Sequence, residues 1–511
     1  MVKEKTKNLI TRPPVAVVLG HVDSGKTSIL DCIRKTHVAE KETGGITQHI
    51  GAYQIEVGNP PSPKATEGQR KITFIDTPGH EAFSAMRSRG AKVADIAILV
   101  VDCCKGVQAQ TKEAILKIKE AGIPVIIALN KIDRPEVNPE KAKRDLSKEG
   151  VLVESLGGKV PSVAVSAKTG QGIEDLLELI SLVAEMEDLK ADVTKSAEGA
   201  VIESYLDSQR GPIATLILTN GILKKGDILG TPSTFGKIKS FENFQGLSIE
   251  KALPSDPVIV TGFGDVPRVG ENFKVFSDLE EAKNYLKVSE KKLPEVLKLN
   301  PEQKVLNLIL KTDVLGSIEA IEEVLKTLPQ EKIVLRILKS EVGQISESDV
   351  KLAKAHPAAG YPAVILGFRV KTSRVAQELA EREKVKIMNF DVIYDFVEGV
   401  RKFMGRISEP ELIRQDLGKV KISAIFLVEK NRQIIGGKVI EGEVKKGTQI
   451  EVLRNEELVG KGKLINLQRD KKDIDRVIKD QECGILFEGD VKIEEGDVLV
   501  IYIEERRKGE L

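Results

Sequence analysis

The chain contains 511 residues, with 78 Lys and Arg against 77 Asp and Glu. This length is too great for one hydrophobic core and predicts several domains. So balanced a charge excludes a strongly basic protein that attracts nucleic acid through its overall field. The longest apolar runs, IAILVV and VIIAL, are too short to cross a bilayer. We therefore expect no membrane binding. The four cysteines form no CxxC pair and lack histidines to complete a zinc site, so we expect a cytoplasmic protein.

Strands and helices alternate over the first part of the chain. VAVVLG predicts a buried strand that enters a glycine loop, and a helix follows over 26–34. Helical patterns separate the later apolar strands KITFID, DIAILVVD, IPVIIALN and VPSVAVSA. Such alternation is typical of a parallel, doubly wound sheet. We expect an N-terminal tail over 1–13 and a first α/β domain over 14–190.

The composition then changes, and further domains follow. Short strands broken by Gly, Pro and Asn predict a β-barrel over 195–287, before a linker over 288–303. The strand–helix pattern returns in a smaller α/β domain over 304–390, and short strands predict a C-terminal β-barrel over 417–506. GILKKGDIL and EGEVKKGTQIEV favour two related barrels, although such turns are common between strands. The predicted fold class is multidomain α/β plus β-barrels.

A connecting helix is predicted over 391–408. Apolar residues recur there every three or four positions, which gives the helix one apolar face. The predicted face consists of Val392, Phe396, Val400, Phe403 and Ile407.

GHVDSGKT fits the phosphate-binding pattern GxxxxGK[ST] and lies between a strand and a helix. Backbone N–H groups of such a loop surround phosphates at the helix N-terminus. We expect Lys26 to reach the β- and γ-phosphates and the Thr27 hydroxyl to bind Mg²⁺. A glycine turn without a ligand is a poor alternative in this context. The residues predicted to contact the nucleotide here are His21, Val22, Asp23, Ser24, Gly25, Lys26, Thr27 and Ser28.

Three further motifs follow strand ends, where ligands bind in such sheets. In DTPGH, we expect Asp76 to hold Mg²⁺ through water and the Gly79 amide to contact the γ-phosphate. In NKID, the Asp133 carboxylate can accept both hydrogen bonds from guanine N1 and N2, whereas adenine offers no such pair of donors. Alone, these motifs are weak, but their order predicts a guanine-nucleotide site. The remaining residues predicted to contact the base are Asn130, Lys131, Ser166, Ala167 and Lys168.

Two residues are predicted to respond to the γ-phosphate. Thr47, in ETGGITQHIGA, is the best candidate for a Mg²⁺ ligand on a loop that orders with GTP. His80 is the predicted catalytic residue, since it follows DTPG and can orient the attacking water. Asp23 is a further candidate for holding a monovalent cation. Cys103 and Cys104 follow a core strand and are predicted to be packing residues.

Together, GHVDSGKT, ETGGITQHIGA, DTPGHEAF and NKID resemble the GTPase domain of the bacterial initiation factor 2 family of translation-factor GTPases. Later segments, including LILKTDVLGSIEAIEEVL and QECGILFEGDVKIEEGDVLV, extend the resemblance over nearly the whole chain. The resemblance implies a GTP- and Mg²⁺-dependent monomer that works with both ribosomal subunits and other initiation factors. It also implies capture of formylmethionyl initiator tRNA, promotion of subunit joining, and hydrolysis driven by the sarcin–ricin loop of ribosomal RNA.

In that family the C-terminal barrel holds the initiator tRNA. The residues that match its tRNA-end pocket are Arg469, Glu482, Cys483 and Gly484. From the residues alone, a buried cysteine is usually a core residue and a charged run such as RDKKDIDR is usually a solvated loop. The chain departs from the family pattern at Ser24, where histidine is more frequent, in a long loop over 58–69, and at Gly437, where a second pocket cysteine is often found.

Three other functions compete with that of an initiation factor. An elongation-type GTPase would have a second barrel where this chain has a second α/β domain. A nucleotide-activating enzyme, such as a sulfate-activation subunit, would leave the last two hundred residues unexplained. A binding module without catalysis is disfavoured by the presence of Lys26, Thr47 and His80.

Overall fold

The computed structural model describes residues 9–36, 47–57, 71–286, 304–358, 362–407, 411–429, 431–455, 457–469 and 472–507. The chain forms two compact units, Met1–Gly399 and Val400–Leu511. The predicted linker over 288–303 and the long loop over 58–69 lie outside the described residues. Among the described helices, none is long and apolar enough to cross a membrane.

A six-stranded sheet with helices on both faces forms the first domain, as the alternating pattern predicts. The sheet order is β3-β4-β2-β5-β6-β7, with β3 antiparallel at the edge and the other strands parallel. The carboxyl ends of the parallel strands therefore meet at one edge, where the predicted motifs begin. The strands are β2 Val15–Gly20, β3 Gly51–Glu56, β4 Lys71–Asp76, β5 Ile96–Asp102, β6 Val125–Asn130 and β7 Ser162–Ala164. The helices are α1 Lys26–Arg34, α2 Ser84–Val93, α3 Ala109–Ala121, α4 Pro139–Lys148 and α5 Ile173–Met186.

The predicted N-terminal tail over 1–13 is wrong for its last five residues. Strand β1 (Leu9–Thr11) pairs antiparallel with strand β8 (Lys190–Asp192), which follows α5. Arg12 then makes a bidentate ion pair with Asp95, with both N–O distances at 2.6 Å. A three-residue strand in a charged segment has too few positions to show alternation, so its pairing depends on a partner almost two hundred residues away.

The second domain is a closed barrel with the strand order β10-β15-β13-β12-β16-β9. Its core is built from inward-facing aliphatic residues and from Phe241 and Phe273. The elements are β9 Glu198–Asp207, β10 Gly211–Asn220, β11 Leu223–Lys224, β12 Ile228–Gly230, β13 Phe235–Asn243, β14 Lys251–Ala252, β15 Pro257–Phe263, β16 Asn272–Phe276 and helix α6 Leu279–Asn284.

A clasp at Ser255 joins this barrel to the first domain. Ser255 has a φ of +70°, and its carbonyl accepts a 2.7 Å hydrogen bond from the Thr73 hydroxyl. Its own hydroxyl accepts a 3.2 Å hydrogen bond from Arg12. Next to it, Asp256 accepts a 3.1 Å hydrogen bond from Gln54 of β3. The edge strand of the sheet is therefore bonded to the barrel.

The third domain is a four-stranded parallel sheet of order β18-β17-β19-β20. Its helices connect the parallel strands, as such connections require. The strands are β17 Lys304–Thr312, β18 Ile333–Val342, β19 Val364–Phe368 and β20 Ile387–Phe390. The helices are α7 Leu315–Thr327, α8 Glu347–Ala355 and α9 Arg374–Glu383.

The connecting helix is α10 (Ile393–Ile407), but its buried face differs from the predicted one. The buried residues are Ile393, Phe396, Val400 and Met404, whereas Val392 and Phe403 are only half-buried. At 100° per residue, positions 392 and 403 lie on the flank of the stripe that runs through 393, 396, 400 and 404. The side chain of Ile407 is outside the description.

The C-terminal barrel begins at residue 411 rather than at the predicted 417. Its strands follow the order β21-β28-β23-β24-β27-β22, and pairing of β21 with β22 closes the ring. In both barrels the predicted KKG turn lies between strands, with Gly226 and Gly447 at φ of +89° and +84°. The strands are β21 Glu411–Val428, β22 Arg432–Lys445, β23 Gln449–Arg454, β24 Glu457–Arg469, β25 Lys472–Asp473, β26 Arg476–Ile478, β27 Glu482–Glu488 and β28 Val498–Arg507.

Candidate nucleotide-binding site and terminal-barrel cleft

The loop between β2 and α1 needs its glycines. Gly20 has a φ of +146°, and a Cβ there would lie 2.4 Å from the Val100 carbonyl oxygen. Gly25 has a φ of +91°, and its Cβ would lie 2.2 Å from Nδ2 of Asn130. That amide donates a 2.8 Å hydrogen bond to the Ser24 carbonyl. Asn130, the first residue of NKID, therefore holds the phosphate-binding loop in place.

Lys26 is buried within this loop. Its Nζ donates to the carbonyl oxygens of Gly20 and His21, at 3.1 and 2.8 Å. Gly79 of DTPGH approaches so closely that a Cβ there would lie 2.4 Å from Lys26 Nζ. Burial lowers the pKa of Lys26 to about 8, although the charge of Asp76 acts in the opposite direction. Burial removes water from the ammonium, so a phosphate anion beside it would be strongly attracted.

A cleft of about 320 Å³ opens between the glycine loop and the residues that follow β4. It brings together Lys26, Thr27, Thr47 and His80 from three separate motifs. Arg134 also lines it and was missed by the sequence analysis, although it directly follows NKID. The full lining is Val22, Asp23, Gly25, Lys26, Thr27, Ser28, Thr47, Gly79, His80, Lys131 and Arg134.

A neighbouring cleft of about 420 Å³ continues toward the NKID and SAK motifs. Ser166 donates a 2.7 Å hydrogen bond to the Asp133 carboxylate, and this bond lowers the pKa of Asp133. Asn130 accepts a 3.3 Å hydrogen bond from the Ala167 amide. The Lys131 ammonium pairs with Asp102 at 2.7 Å and also donates to the Asp23 carbonyl. The cleft is lined by Gly25, Ser28, Asn130, Lys131, Asp133, Arg134, Pro135, Ala167 and Lys168.

The residues predicted to bind Mg²⁺ fit that ion in their chemistry. The hydroxyls of Thr27 and Thr47 are hydrogen-bonded to each other, and Asp76 is buried at the end of β4. The described residues contain no cluster of three or more His, Cys, Asp or Glu that could hold a metal without other ligands. Mg²⁺ characteristically uses few protein oxygens and completes its octahedron with water and substrate phosphates. Two hydroxyls and one carboxylate suit this mode.

His80 caps a short 3₁₀ turn, Glu81–Phe83, in which the Ala82 amide donates a 3.0 Å hydrogen bond to Nδ1. Burial lowers the pKa of His80, so the ring is neutral at pH 7. A neutral imidazole whose Nδ1 accepts a hydrogen bond carries its proton on Nε2. The ring centroid lies 4.5 Å from that of Tyr394 in α10. His80 therefore presents a donor N–H and rests against the connecting helix.

Arg87 is a positioning residue that the sequence analysis missed. Its side chain is fully buried, and its Nη2 donates to both carboxylate oxygens of Glu113 of α3, each at 2.7 Å. The same guanidinium donates to the carbonyls of Pro78, at 3.1 Å, and of His80. It thereby fixes the backbone on both sides of Gly79. The only signal in the sequence was an arginine in the helix that follows DTPGH.

A second cleft, of about 460 Å³, lies on the C-terminal barrel. It brings together Arg469, Glu482, Cys483 and Gly484, the residues that the resemblance implied. Gly437 faces Cys483 in the paired strands, and the Cys483 thiol donates to the Gly437 carbonyl over 3.7 Å. The other lining residues were not predicted from the sequence; they are Ser423, Ala424, Phe426, Ile434, Gly436 and Gln468.

Gly437 has no room for the second cysteine that the family often carries. A Cβ there would lie 2.6 Å from the Lys421 carbonyl oxygen and 2.8 Å from a methyl group of Val420. Burial raises the pKa of the Cys483 thiol to about 11, so the thiol is protonated at pH 7. Burial also raises the pKa of Cys103 to about 12, which agrees with its predicted packing role, whereas Cys104 is only half-buried.

Similarity to known proteins extends over nearly the whole chain. Residues 12–186 match the elongation factor Tu GTP binding domain, 196–276 match elongation factor G domain 2, and 280–401 match translation-initiation factor 2. Translation initiation factor IF-2 of Halothermothrix orenii is 43% identical over 98% of this chain and 73% of its own length. The same factor of Thermotoga sp. (strain RQ2) is 42% identical over 98% of this chain and 72% of its own.

A crystal structure of GDP-bound aIF5B from Aeropyrum pernix is similar over 96% of this chain and 92% of its own, with 27% identity and a TM-score of 0.50. The predicted fold class and the predicted guanine-nucleotide chemistry are confirmed. Because the match includes the third domain and the C-terminal barrel, the elongation-type and nucleotide-activating alternatives are wrong. The chain belongs to the translation initiation factor IF-2 family and is a GTP-hydrolysing initiation factor.

Proposed function

We propose that this protein binds GTP with Mg²⁺ in the first cleft, helps place formylmethionyl initiator tRNA on the small ribosomal subunit, and promotes joining of the large subunit. It then hydrolyses GTP on the assembled ribosome. The observation that carries this proposal is the convergence of Lys26, Thr27, Thr47 and His80 on one cleft beside the base-binding motifs.

The phosphate end of the nucleotide lies at the N-terminus of α1. Lys26 gives up its contacts with the Gly20 and His21 carbonyls and turns to the β- and γ-phosphates. The Gly79 amide donates to the γ-phosphate. The hydroxyls of Thr27 and Thr47, with Asp76 through water, would hold Mg²⁺, which would neutralise phosphate charge. Asp23 would help to hold a monovalent cation.

The guanine base lies in the neighbouring cleft. Asp133 accepts hydrogen bonds from guanine N1 and N2, and Ser166 keeps the carboxylate in the required orientation. Asn130 supports the glycine loop, and Lys131, Ala167 and Lys168 form the wall of the cleft. An adenine base cannot supply the paired donors, so the site selects guanine.

His80 acts on the attacking water as a neutral ring. Its Nε2–H donates a hydrogen bond toward the water or a γ-phosphate oxygen, which orients the nucleophile and stabilises charge in the transition state. Its resting contact with Tyr394 has to change before the imidazole can reach that position. The sarcin–ricin loop of the large subunit supplies this rearrangement, so hydrolysis waits for subunit joining.

The cleft of the C-terminal barrel takes the formylmethionyl end of the tRNA. Phe426, Ile434 and the glycine backbone offer an apolar surface to the methionine side chain, and Arg469 offers a cation near the tRNA backbone. The partly open shape suits one esterified amino acid. Other initiation factors and both subunits complete the assembly, in which one copy of this chain acts as a monomer.

The test is protection of the aminoacyl ester bond of initiator tRNA, formylated and unformylated, by the purified protein. Protection of the formylated form alone supports the terminal-barrel assignment despite Gly437. Equal rates of ester hydrolysis with and without protein, at protein concentrations where ribosomes stimulate GTP turnover, would contradict the tRNA assignment and leave the GTPase assignment in place.

A further inference from the structure

The three residues that follow Thr47 are each bonded to another domain. Gln48 is fully buried, and its side-chain amide donates a 3.0 Å hydrogen bond to the carbonyl of Asp391, two residues before α10 begins. His49 lies against charged residues of the second and third domains. The Ile50 amide donates to the carboxylate of Glu203 in the barrel. Thr47 thus faces the nucleotide cleft while the next three residues face away from it.

The contacts of His49 join three domains at one point. Its Nε2 lies 2.8 Å from the Asp313 carboxylate of the third domain, and its Nδ1 lies 3.6 Å from the Glu203 carboxylate of the barrel. Arg369 pairs with the same Asp313 carboxylate at 3.0 Å. We call Gln48, His49, Glu203, Asp313 and Arg369 the junction cluster. Its four charged or titratable side chains are each between 16% and 29% exposed.

The backbone around the cluster is unusual as well. Arg369 has a φ of +55°, a left-handed conformation that residues with a Cβ seldom adopt. Its amide donates a 2.8 Å hydrogen bond to the Phe390 carbonyl, which helps hold it there. This conformation brings its guanidinium to Asp313. Burying polar groups at such an interface costs desolvation free energy, so we expect this cluster to fix the geometry of the interface more than to stabilise it.

We propose that Gln48 and His49 are positioning residues for Thr47, and that the third domain and the barrel use them to set how strongly the first cleft prefers GTP over GDP. This inference rests on the proposed function of Thr47. Because the junction cluster fixes the chain directly after Thr47, it determines where the Thr47 hydroxyl and backbone stand relative to Thr27. GDP has no γ-phosphate to engage that loop, so its affinity does not depend on the cluster.

General docking of the domains does not require this cluster. Arg89 of α2 pairs with Glu319 of α7 at 2.6 Å and links the same first and third domains. Met86 packs against Gly316 in the same interface, where a Cβ on the glycine would lie 2.3 Å from the methionine Cε. Neither contact includes a residue of the Thr47 loop. The Arg89–Glu319 pair therefore provides a matched control for a contact that joins the domains without positioning the loop.

The experiment compares Kd values for GDP and for a non-hydrolysable GTP analogue, both with Mg²⁺, in the full chain. Asp313→Asn keeps the size of the side chain and removes its charge, and His49→Ala removes the ring. We expect each to raise the Kd of the GTP analogue about fivefold or more, the range of a typical coupling between sites, with the Kd of GDP unchanged. The double variant should lose less affinity than the sum of the two single losses, since both variants remove the His49–Asp313 contact.

Two controls separate the possible failures. Glu319→Gln is expected to leave the ratio of the two Kd values unchanged, and unchanged GDP binding in every variant reports a folded first domain. If Thr47→Ala weakens the GTP analogue but Asp313→Asn and His49→Ala do not, the inference is wrong and the role of Thr47 stands. If Thr47→Ala also leaves the ratio unchanged, both the role of Thr47 and the inference are overturned.

Discussion

The nucleotide site and the terminal-barrel cleft are built in opposite ways. At the nucleotide site, the motifs are joined by hydrogen bonds. Asn130 donates to the Ser24 carbonyl, and Ser166 donates to the Asp133 carboxylate. The second is lined largely by glycine backbone and by apolar side chains such as Phe426, which is 69% exposed. Fixed donors and acceptors suit a site that discriminates between bases and stabilises a transition state. An open apolar cleft suits a site that accepts a flexible end by shape.

The largest expected effect breaks catalysis in the first site while leaving the second intact. His80→Ala removes the Nε2 donor, and ribosome-stimulated kcat should fall about 10²- to 10⁴-fold, as expected for a group that orients or transfers a proton. The Kd for GTP and the protection of initiator tRNA should not change. Single-turnover hydrolysis on ribosomes measures this, and an unchanged rate would remove His80 from the catalytic role.

Nucleotide affinity should also depend on a single group at the base-binding side of the site. Asp133→Asn places an amide donor against the guanine N2 donor, whereas xanthine presents an acceptor at that position. GTP affinity should fall by about ten- to hundredfold, the discrimination of one bidentate pair, and XTP affinity should rise. Competition binding with GTP, ITP and XTP distinguishes this from general damage, because ITP lacks the N2 group. Parallel losses for all three nucleotides would contradict the assignment.

The charge of Lys26 should make nucleotide binding at the first site depend on pH. With a pKa of about 8 in the free protein, Lys26 is charged below pH 8, and bound phosphate raises that pKa. Above pH 8, binding must take up a proton, so Kd should rise by up to about tenfold per pH unit. Lys26→Arg should bind more weakly with a flatter profile between pH 7 and 9. Ionisation of the nucleotide affects the wild-type protein and the Lys26→Arg variant equally. If Kd changed with pH in the same way for both, the role given to the Lys26 charge would be contradicted.

The smallest expected effect concerns the open cleft. A Cβ at Gly484 would meet nothing closer than 3.9 Å, so Gly484→Ala adds a methyl group to the cleft without a clash. Affinity for formylmethionyl initiator tRNA should fall about tenfold, near the lower cost of a misplaced methylene in an apolar pocket. GTP hydrolysis and the melting temperature should stay unchanged. Gly437→Ala is the matched variant, which should lower the melting temperature because its Cβ meets the Lys421 carbonyl.

Local sequence patterns predicted the parts of the molecule that depend on neighbouring residues. Gly20, Gly25 and Lys26 lie on one short loop whose conformation follows from the glycines themselves. NKID and SAK could be assigned because each follows an apolar strand, and parallel strands end at a common edge. The four residues implied for the tRNA cleft came from the family resemblance, and they share one cleft in the structure.

The missed features depend on partners that are distant in sequence. Arg87 is recognisable only once Glu113 and the Pro78 carbonyl surround it. Strand β1 forms only by pairing with β8. The buried face of α10 differs from the predicted face because Val392 and Phe403 lie beside the buried stripe. Such contacts leave no periodic signal, since each is made once and at long range.

The clasp at Ser255 limits how the protein can be cut into pieces. A fragment that stops at residue 190 loses most of β8 and Ser255, so the buried Thr73 hydroxyl loses its acceptor. Hydrolysis rates from such a fragment would describe a loosened first domain, whereas one that extends through Asn284 keeps the strand, the clasp and the barrel together.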